Sequence, residues 1–214
     1  MTSAAISQNS PVSTTSKTCD CISQKAGEVF AQRGFAQVGM RELCSHLGIA
    51  NGSIYYHIES KQALLFELIE DLYQTLLAAN ARTLKRGMSA QQRLSLLLKQ
   101  HIELHACKAS QLVLAEREAH CLSPEHRAQV DSLRAEYEQQ LTTLLGEVAT
   151  HASQSDLQQI AASLVSMLNS LPGWFKHTFI DARRQHRFLL KAIQALLHEA
   201  CAGATHGALE GQPG

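Results

Sequence analysis

The segment GFAQVGMRELCSHLGIANGSIYYHIESKQALL, residues 34–65, decides the fold of this 214-residue chain. It predicts two short helices, at 40–47 and 50–57, on either side of Gly48, a residue type that readily adopts the left-handed conformation at a helix end. Ser60 then favours the start of a long helix. Two short helices joined by a tight turn form a helix-turn-helix, whose second helix enters the major groove of DNA.

The segments on both sides also have helical patterns. Upstream, apolar residues from Ile22 to Phe30 recur every three or four positions, between Thr18 as a cap and Gly34 as a stop. Downstream, the helix-start signals are Ser89 with Gln92, Ser123 followed by Pro124, and Asp181. Leu171-Pro172-Gly173 is expected to interrupt a helix, because proline lacks the N–H donor.

These patterns predict an all-α fold without strands. We expect an N-terminal three-helix helix-turn-helix domain at 18–61, followed by an antiparallel helical ligand-binding and dimerisation domain at 62–202. Residues 1–17 are polar and of low complexity, so we expect a disordered tail there. The glycine-rich residues 203–214 are expected to form a flexible tail.

Composition and charge narrow the classes of function. Hydrophobic residues make up 45% of the chain, which fits a globular core, and 19 basic residues balance 19 acidic ones. The basic excess within residues 1–61 is small, so DNA binding would need a dimer. The six cysteines fit neither a disulfide framework nor a zinc ribbon. Without a signal peptide or a membrane-spanning stretch, we expect a cytoplasmic protein with reduced thiols and no membrane partner.

The order of residues within 34–65 resembles the DNA-binding segment of the TetR family of transcriptional repressors. The matching elements are Gly34-Phe35, Met40-Arg41-Glu42-Leu43, Gly48-Ile49, Gly52-Ser53-Ile54-Tyr55-Tyr56-His57 and Ser60-Lys61-x-x-Leu64-Leu65. The resemblance implies a homodimer that binds a palindromic double-stranded DNA operator. Three departures stand out: Val38-Gly39 and Ala50 replace capping Ser or Thr residues, and Ile58 replaces Phe. They predict weakly capped short helices.

The resemblance also implies which residues face DNA. They are Arg41, Asn51, Gly52, Ser53, Tyr55, Tyr56, His57 and Lys61. Lys61 is expected to bind a phosphate at the start of the long helix, and Gly52 to let DNA or a neighbouring helix come close. The alternative is that Tyr55, Tyr56 and Lys61 only pack and solvate a helix junction.

The region after the helix-turn-helix contains no enzyme motif, so we expect an apolar cavity for a small hydrophobic effector, and no cofactor. Two segments, residues 115–139 and MLNSLPGWFK at 167–176, resemble the sensor domains of TetR relatives that respond to acyl-CoA thioesters. The expected ligand-binding residues are Leu97, His101, His105, Val113, Arg117, Tyr137, Leu141, Trp174 and Phe175. Candidate partners for the CoA phosphates are Arg117, Arg127, Arg134 and Lys176.

Two apolar stripes are expected to form a four-helix dimer seam, since the last two long helices usually pair this way in the family. The residues are Leu157, Ile160, Ala161, Leu164, Val165 and Leu168 in one helix, and Ile193, Leu196 and Leu197 in the other. The alternative is that these stripes face the core of their own subunit.

Other functions remain open from the sequence. His101 and His105 lie on one helical face, so a metal sensor is an alternative, although we assign no metal site. An activator or a repressor without a ligand would have the same signature. The remaining alternative is a helical adaptor or enzyme that does not bind DNA, which the small basic excess favours.

Overall fold

The computed structural model describes residues 12–56, 58–84, 87–174 and 181–207. Every regular element within these ranges is helical, which confirms the all-α prediction. The α-helices are α1 (Val12–Arg33), α2 (Met40–Leu47), α3 (Lys61–Leu84), α4 (Ala90–Leu104), α5 (Ala109–Arg117), α6 (Pro124–Val148), α7 (Gln154–Trp174) and α8 (Ala182–Gly207). Two 3-10 turns, Ile54–Tyr56 and Ala119–Cys121, follow α2 and α5. No helix in the described ranges is long and apolar enough to span a membrane.

Predicted capping residues define five of the helix ends, whereas Thr18, predicted as the cap of α1, lies inside that helix. Gly34 and Gly48 end α1 and α2 with positive φ angles of 89° and 70°, a conformation that favours glycine. Ser89 forms the predicted capping box at the start of α4, and the Ser123 side chain accepts a backbone N–H in the first turn of α6. The Asp181 carboxylate accepts a backbone N–H of α8 at 2.6 Å. Local signals are therefore sufficient to place these ends.

Two terminal helices are longer than predicted. α1 begins at Val12, within the predicted tail over 1–17. α8 ends at Gly207, within the predicted tail over 203–214. Disorder of the two tails stays a prediction. Extending an existing helix requires much less free energy than nucleating one.

α7 continues through a proline. The predicted interruption at 171–173 is wrong, because the helix runs on to Trp174. Pro172 has no N–H with which to bond the Leu168 carbonyl, one helical turn earlier. The Nε2 of His105 lies 3.1 Å from that carbonyl oxygen and supplies the missing donor. The His105 side chain, at the C-terminal cap of α4, thus allows α7 to continue through Pro172.

α3 belongs to both parts of the molecule. We call α1, α2 and the turn Ile54–Tyr56 together the reader. The start of α3 packs with the reader. Its remaining length packs against α4, α5 and α6, which together with α7 and α8 we call the bundle. One continuous core of buried apolar side chains extends from the reader into the bundle. The reader and the bundle therefore share one packed core through α3.

Candidate DNA-binding surface and effector site

The second reader element is a short turn. The Ser53 N–H bonds the Ala50 carbonyl at 2.9 Å, a bond that spans three residues, and the helical residues of this segment are Ile54–Tyr56. The prediction of an α-helix over 50–57 is therefore wrong. Ala50 offers no side-chain oxygen as a cap, and Gly52 loses more backbone entropy than other residues on becoming helical. The missing caps that the sequence predicted explain the short turn.

The turn directs its aromatic side chains into solvent. Ile54 is fully buried and anchors the segment, whereas Tyr55 is 61% exposed and Tyr56 is 88% exposed. Of the other residues predicted to face DNA, Arg41, Asn51 and Gly52 are exposed, Ser53 is half-buried and His57 lies outside the described residues. Large aromatic side chains left this free of their own chain are typical of a binding surface.

Gly52 is not required by the fold around it. A Cβ added there would meet no described atom within 4 Å, and its φ angle is not positive. Packing of a neighbouring helix of the same chain therefore does not explain the glycine. Close approach of DNA, the other predicted reason, stays a prediction.

The Lys61 side chain packs at the helix junction, as the alternative interpretation predicted for this residue. Its Nζ donates to the carbonyls of Phe35 and Val38, at 2.8 and 2.9 Å, and lies 4.2 Å from the centroid of the Phe35 ring. These contacts tie the start of α3 to the loop between α1 and α2. An ammonium group has three N–H donors, so a phosphate contact through the third stays a prediction.

A buried polar network occupies the centre of the bundle. Its members are Tyr73 of α3, His101 of α4, Glu116 of α5, Arg134 and Tyr137 of α6, and Ser166 and Asn169 of α7. Asn169, which is fully buried, is central: its Nδ2 donates to the Tyr73 hydroxyl at 3.4 Å and to the Glu116 carboxylate at 2.8 Å. The network therefore joins five consecutive helices.

The His101 ring is neutral within this network. Burial and the neighbouring His105 lower the pKa of His101 to about 3, although the bond with Asn169 opposes the shift. Nε2–H donates to the Asn169 Oδ1 at 3.1 Å, and Nδ1 accepts from the Tyr137 hydroxyl at 3.2 Å. Since both ring nitrogens have protein partners and His105 bonds Leu168, metal sensing by this histidine pair is not supported.

The predicted cations for CoA phosphates have internal partners or lie elsewhere. Arg134 bonds Glu116 through Nη1 and Glu138 through Nε, both at 2.8 Å. Arg127 pairs with a carboxylate on its own helix. Arg117 is exposed, and Lys176 lies outside the described residues. Arg134 therefore neutralises two partly buried carboxylates and is not free for a phosphate.

The structure brings together some of the predicted ligand-binding residues. His101 and Tyr137 are bonded to each other, and Leu97 and Leu141 are buried in the same core. Val113 instead lines a crevice of about 210 Å³ between α1 and α5, away from this centre. The Trp174 side chain and Phe175 lie outside what the structure describes.

Sequence analysis missed Tyr73, Glu116 and Asn169 as members of the site. Asn169 carried a usable signal, because it directly follows Leu168 in the apolar stripe of α7 and buried amides need hydrogen-bond partners. The partners themselves come from helices distant in sequence, so no local pattern identifies them.

An open crevice of about 460 Å³ lies where the reader meets the bundle. It is lined by α1, α3 and the start of α5. Asp71 pairs with Lys108 and accepts a hydrogen bond from Gln111 at 2.8 Å along one wall. This crevice is more polar than the expected apolar cavity.

The predicted dimer stripes mostly face the core of their own chain. All of them are buried except Ile160, which is half-buried, and Leu196, which is 50% exposed. A side chain already buried in one chain has little surface left to bury against a partner, which favours the alternative interpretation for the buried residues. The dimer seam itself stays a prediction. Among the side chains of α8 that the structure describes, the large apolar ones that are exposed are Phe188, at 68% exposure, and Leu196.

Two family models match the chain. The model described as bacterial regulatory proteins of the tetR family matches residues 22–68, which contain the reader and the start of α3. The model described as the tetracyclin repressor-like C-terminal domain matches residues 87–178 of the bundle. Together they cover about two thirds of the chain.

Curated relatives match part of their length. The HTH-type transcriptional repressor KstR2 of Mycolicibacterium smegmatis is 29% identical over 104 residues, which are 49% of this chain and 51% of the relative. The fatty acid metabolism regulator protein of Bacillus subtilis is 23% identical over 122 residues, 57% of this chain and 63% of the relative. The chain thus spans less than two thirds of either relative.

Solved structures share the fold over most of their length. A TetR-family transcriptional regulator from Bordetella parapertussis 12822 superposes with a TM-score of 0.76 at 16% identity, covering 82% of this chain and 93% of that one. AibR in complex with isovaleryl coenzyme A and operator DNA has a TM-score of 0.70 at 18% identity, covering 81% and 96%. With matches in the reader and the bundle, and a common fold, this chain belongs to the TetR family of bacterial regulatory proteins.

Proposed function

We propose that this chain is a DNA-binding transcriptional repressor that acts as a homodimer and is released by a small hydrophobic effector. The observation that carries the proposal is the outward position of Tyr55 and Tyr56 on the second element of a helix-turn-helix. Tyrosine hydroxyls bond phosphates, and tyrosine rings pack on thymine methyl groups. The KstR2 relative is named a transcriptional repressor, which supports the same function.

The effector signal passes along α3. Tyr73, in the middle of this helix, belongs to the buried network. Lys61, at its start, donates hydrogen bonds to the loop between α1 and α2. At about 1.5 Å per residue, the two positions lie about 18 Å apart along one rigid element. An effector that binds more tightly to a rearranged network shifts α3 and the attached reader.

The proposed effector class is an acyl-CoA thioester. The apolar side chains of Leu97 and Leu141, beside the network, suit an acyl chain. The Bacillus subtilis relative is named for fatty acid metabolism, and the AibR structure holds isovaleryl coenzyme A with operator DNA. Because the core residues pack against one another in the described state, the effector must select a state in which the bundle is more open.

The proposed dimer contact is the exposed face of α8. Phe188 and Leu196 lie about two helical turns apart and project from the surface. Pairing two such faces would remove both apolar side chains from water and place two readers side by side. A dimer also doubles the basic charge that meets DNA, which this chain needs because its own excess is small.

Selection of bound fragments from a random DNA library tests the reader, with affinities measured by fluorescence anisotropy across a salt series. We expect a palindromic site and its loss in Tyr56→Ala. Lys99→Ala, at an exposed position of α4, is the control. An acyl-CoA panel from isovaleryl- to palmitoyl-CoA, with free CoA as the control, then tests the effector class. Failure to enrich any sequence contradicts the repressor; specific binding that no acyl-CoA weakens contradicts only the effector class.

A further inference from the structure

We propose that Glu118, His120 and Cys121 bind a divalent transition-metal ion such as Zn²⁺ at the junction between the reader and the bundle. These residues occupy the C-terminal cap of α5 and the 3-10 turn Ala119–Cys121 that leads into α6. One oxygen, one nitrogen and one sulfur atom all lie within 4.8 Å of one another. The proposed repressor mechanism uses none of these side chains.

The distances between the donor atoms fit a tetrahedral ion. The Cys121 Sγ lies 3.4 Å from the His120 Nε2 and 3.8 Å from the Glu118 Oε2. Zinc binds sulfur at about 2.3 Å and nitrogen or oxygen at about 2.0–2.2 Å, so tetrahedral angles separate such donors by about 3.6 Å. Two edges of the donor triangle are close to this length. His120 is exposed, so its ring has room to close the third edge.

The backbone that carries the donors is already held in place. The Cys121 N–H bonds the Glu118 carbonyl, and the Glu118 N–H bonds the Leu114 carbonyl, both at 2.9 Å. The cap at Ser123 then fixes the start of α6. Because the donors converge without a change in the backbone, binding an ion here would require little loss of conformational entropy.

Glu118 supplies an independent indication of a cation. Its side chain is almost completely buried, at 8% exposure, yet no basic side chain among the described residues pairs with it. Within the same residues, its hydrogen-bond partner is the thiol of Cys121. A buried carboxylate without a positive partner is destabilising, and a metal ion would neutralise it.

The donor set selects the class of metal. Thiolate and imidazole ligands favour zinc and its neighbours in the periodic table, whereas calcium and magnesium require oxygen donors. On binding, the Cys121 thiol releases its proton to solvent, and water completes the fourth position.

The site lies against the start of α3 on one side and the end of α1 on the other. The Gln62 Nε2, at the start of α3, donates to the Cys121 carbonyl at 3.2 Å. The Glu118 Oε1 lies 3.8 Å from the point where a Cβ would stand at Gly34, the residue that ends α1. An ion held by the turn would therefore fix the reader relative to the bundle.

Cobalt titration of the full chain after treatment with a chelator tests the site. Co²⁺ should bind one ion per chain, with a thiolate-to-cobalt charge-transfer band and the visible bands of a tetrahedral complex, and Zn²⁺ should abolish both. Cys121→Ser and His120→Gln should lose the charge-transfer band or weaken binding by about 100-fold or more, since even changes outside the ligand shell cost about 10- to 100-fold. Cys107→Ser, at another accessible thiol, should bind like the parent chain.

The absence of a charge-transfer band in the parent chain would overturn the site, as would an unchanged Co²⁺ spectrum in Cys121→Ser. Circular dichroism of each variant checks that it folds, and neither His120 nor Cys121 is fully buried. Zn²⁺ should also raise the melting temperature of the parent chain and of Cys107→Ser but not of Cys121→Ser. The experiment needs neither DNA nor an acyl-CoA, so its failure is distinct from failure of the proposed repressor function.

Discussion

His105 and Leu168 are joined by a hydrogen bond that replaces a missing backbone bond of α7, with the imidazole Nε2 3.1 Å from the carbonyl oxygen. Pro172 cannot donate to this carbonyl. His105→Phe retains a ring but removes the donor, so we expect a loss of about 1–3 kcal/mol in the free energy of unfolding, because a partly buried carbonyl is left without a partner. Urea unfolding followed by circular dichroism measures the loss.

A double-mutant cycle separates this bond from general packing. Pro172→Ala restores a backbone N–H that can bond the Leu168 carbonyl, so His105→Phe should cost less in that background. His151→Phe, at an exposed histidine, is the control and should change stability little. An equal cost of His105→Phe with and without Pro172 would show that the hydrogen bond is not the cause.

The stability of the fold should decrease in mild acid. The pKa of His101 is about 3 in the folded protein against an ordinary value of 6.5, so between these pH values the unfolded chain binds a proton that the folded chain does not. Protonation of the unfolded state favours unfolding. The stabilisation that comes from the neutral His101 is therefore complete above about pH 6.5 and is lost as the pH falls towards 3. The slope approaches about 1.4 kcal/mol per pH unit for one such histidine.

Unfolding midpoints at pH 7.5, 6.5 and 5.5 check this dependence. His101→Gln should have a shallower slope than the parent chain, although burial also lowers the pKa of His105 and leaves part of the effect. His198→Gln, at an exposed position, should retain the full slope. A parent chain whose stability does not fall between pH 6.5 and 5.5 would refute the assignment of a neutral buried His101.

The sequence located several helix ends, and with them the position of the reader, because their signals are local. Gly48 ends α2 through its own φ angle, and Ser60 caps α3 by accepting the Ala63 N–H at 2.9 Å. Such features depend on residues within one helical turn, which the sequence displays directly. The same signals placed the exposed tyrosines between these two ends.

The remaining features depend on residues that are distant in sequence. Continuation of α7 through Pro172 requires His105, and the neutral state of His101 follows from its burial among helices that are distant in sequence. The buried dimer stripes could not be assigned from periodicity, because an apolar helical face is the same pattern whether a partner or its own bundle covers it. Non-local packing therefore decides what local patterns leave open.

Replacing Lys61 should lower stability, whereas replacing Tyr56 should lower DNA binding and leave stability nearly unchanged. Lys61→Met removes two hydrogen bonds from a partly buried ammonium, so we expect the unfolding free energy to fall by about 1.5–3 kcal/mol. Tyr56→Ala removes a side chain that is 88% exposed and should change stability by about 0.5 kcal/mol or less, while it abolishes specific DNA binding. Urea unfolding and fluorescence anisotropy on the same preparations separate the two roles. A stable Lys61→Met variant would contradict the structural role of the ammonium.

Gly52→Ala should make the protein more stable and a weaker DNA binder. The site has open space and no positive φ angle, so alanine should stabilise the fold by about 0.4–1 kcal/mol through the lower entropy of the unfolded chain. The added methyl group should obstruct the approach to DNA. Gly34→Ala is the matched control, because its φ of 89° should make alanine destabilising. Undiminished DNA binding in Gly52→Ala would remove this residue from the contact surface.

Replacing either exposed apolar side chain of α8 by a charge should produce monomers. Phe188→Asp and Leu196→Asp would each place a carboxylate in the proposed apolar seam, where burial of an unpaired charge opposes association. Light scattering coupled to size-exclusion chromatography measures the mass, and Gln194→Asp, at another exposed position of the same helix, is the control.

The monomeric variants should remain folded, since neither side chain is buried in the single chain. They should nevertheless lose affinity for a palindromic site, because two readers must reach half-sites roughly 34–36 Å apart on one face of DNA. If both variants still form dimers of unchanged stability, this face of α8 is not the interface. The half-buried Ile160 on the surface of α7 is then the next candidate.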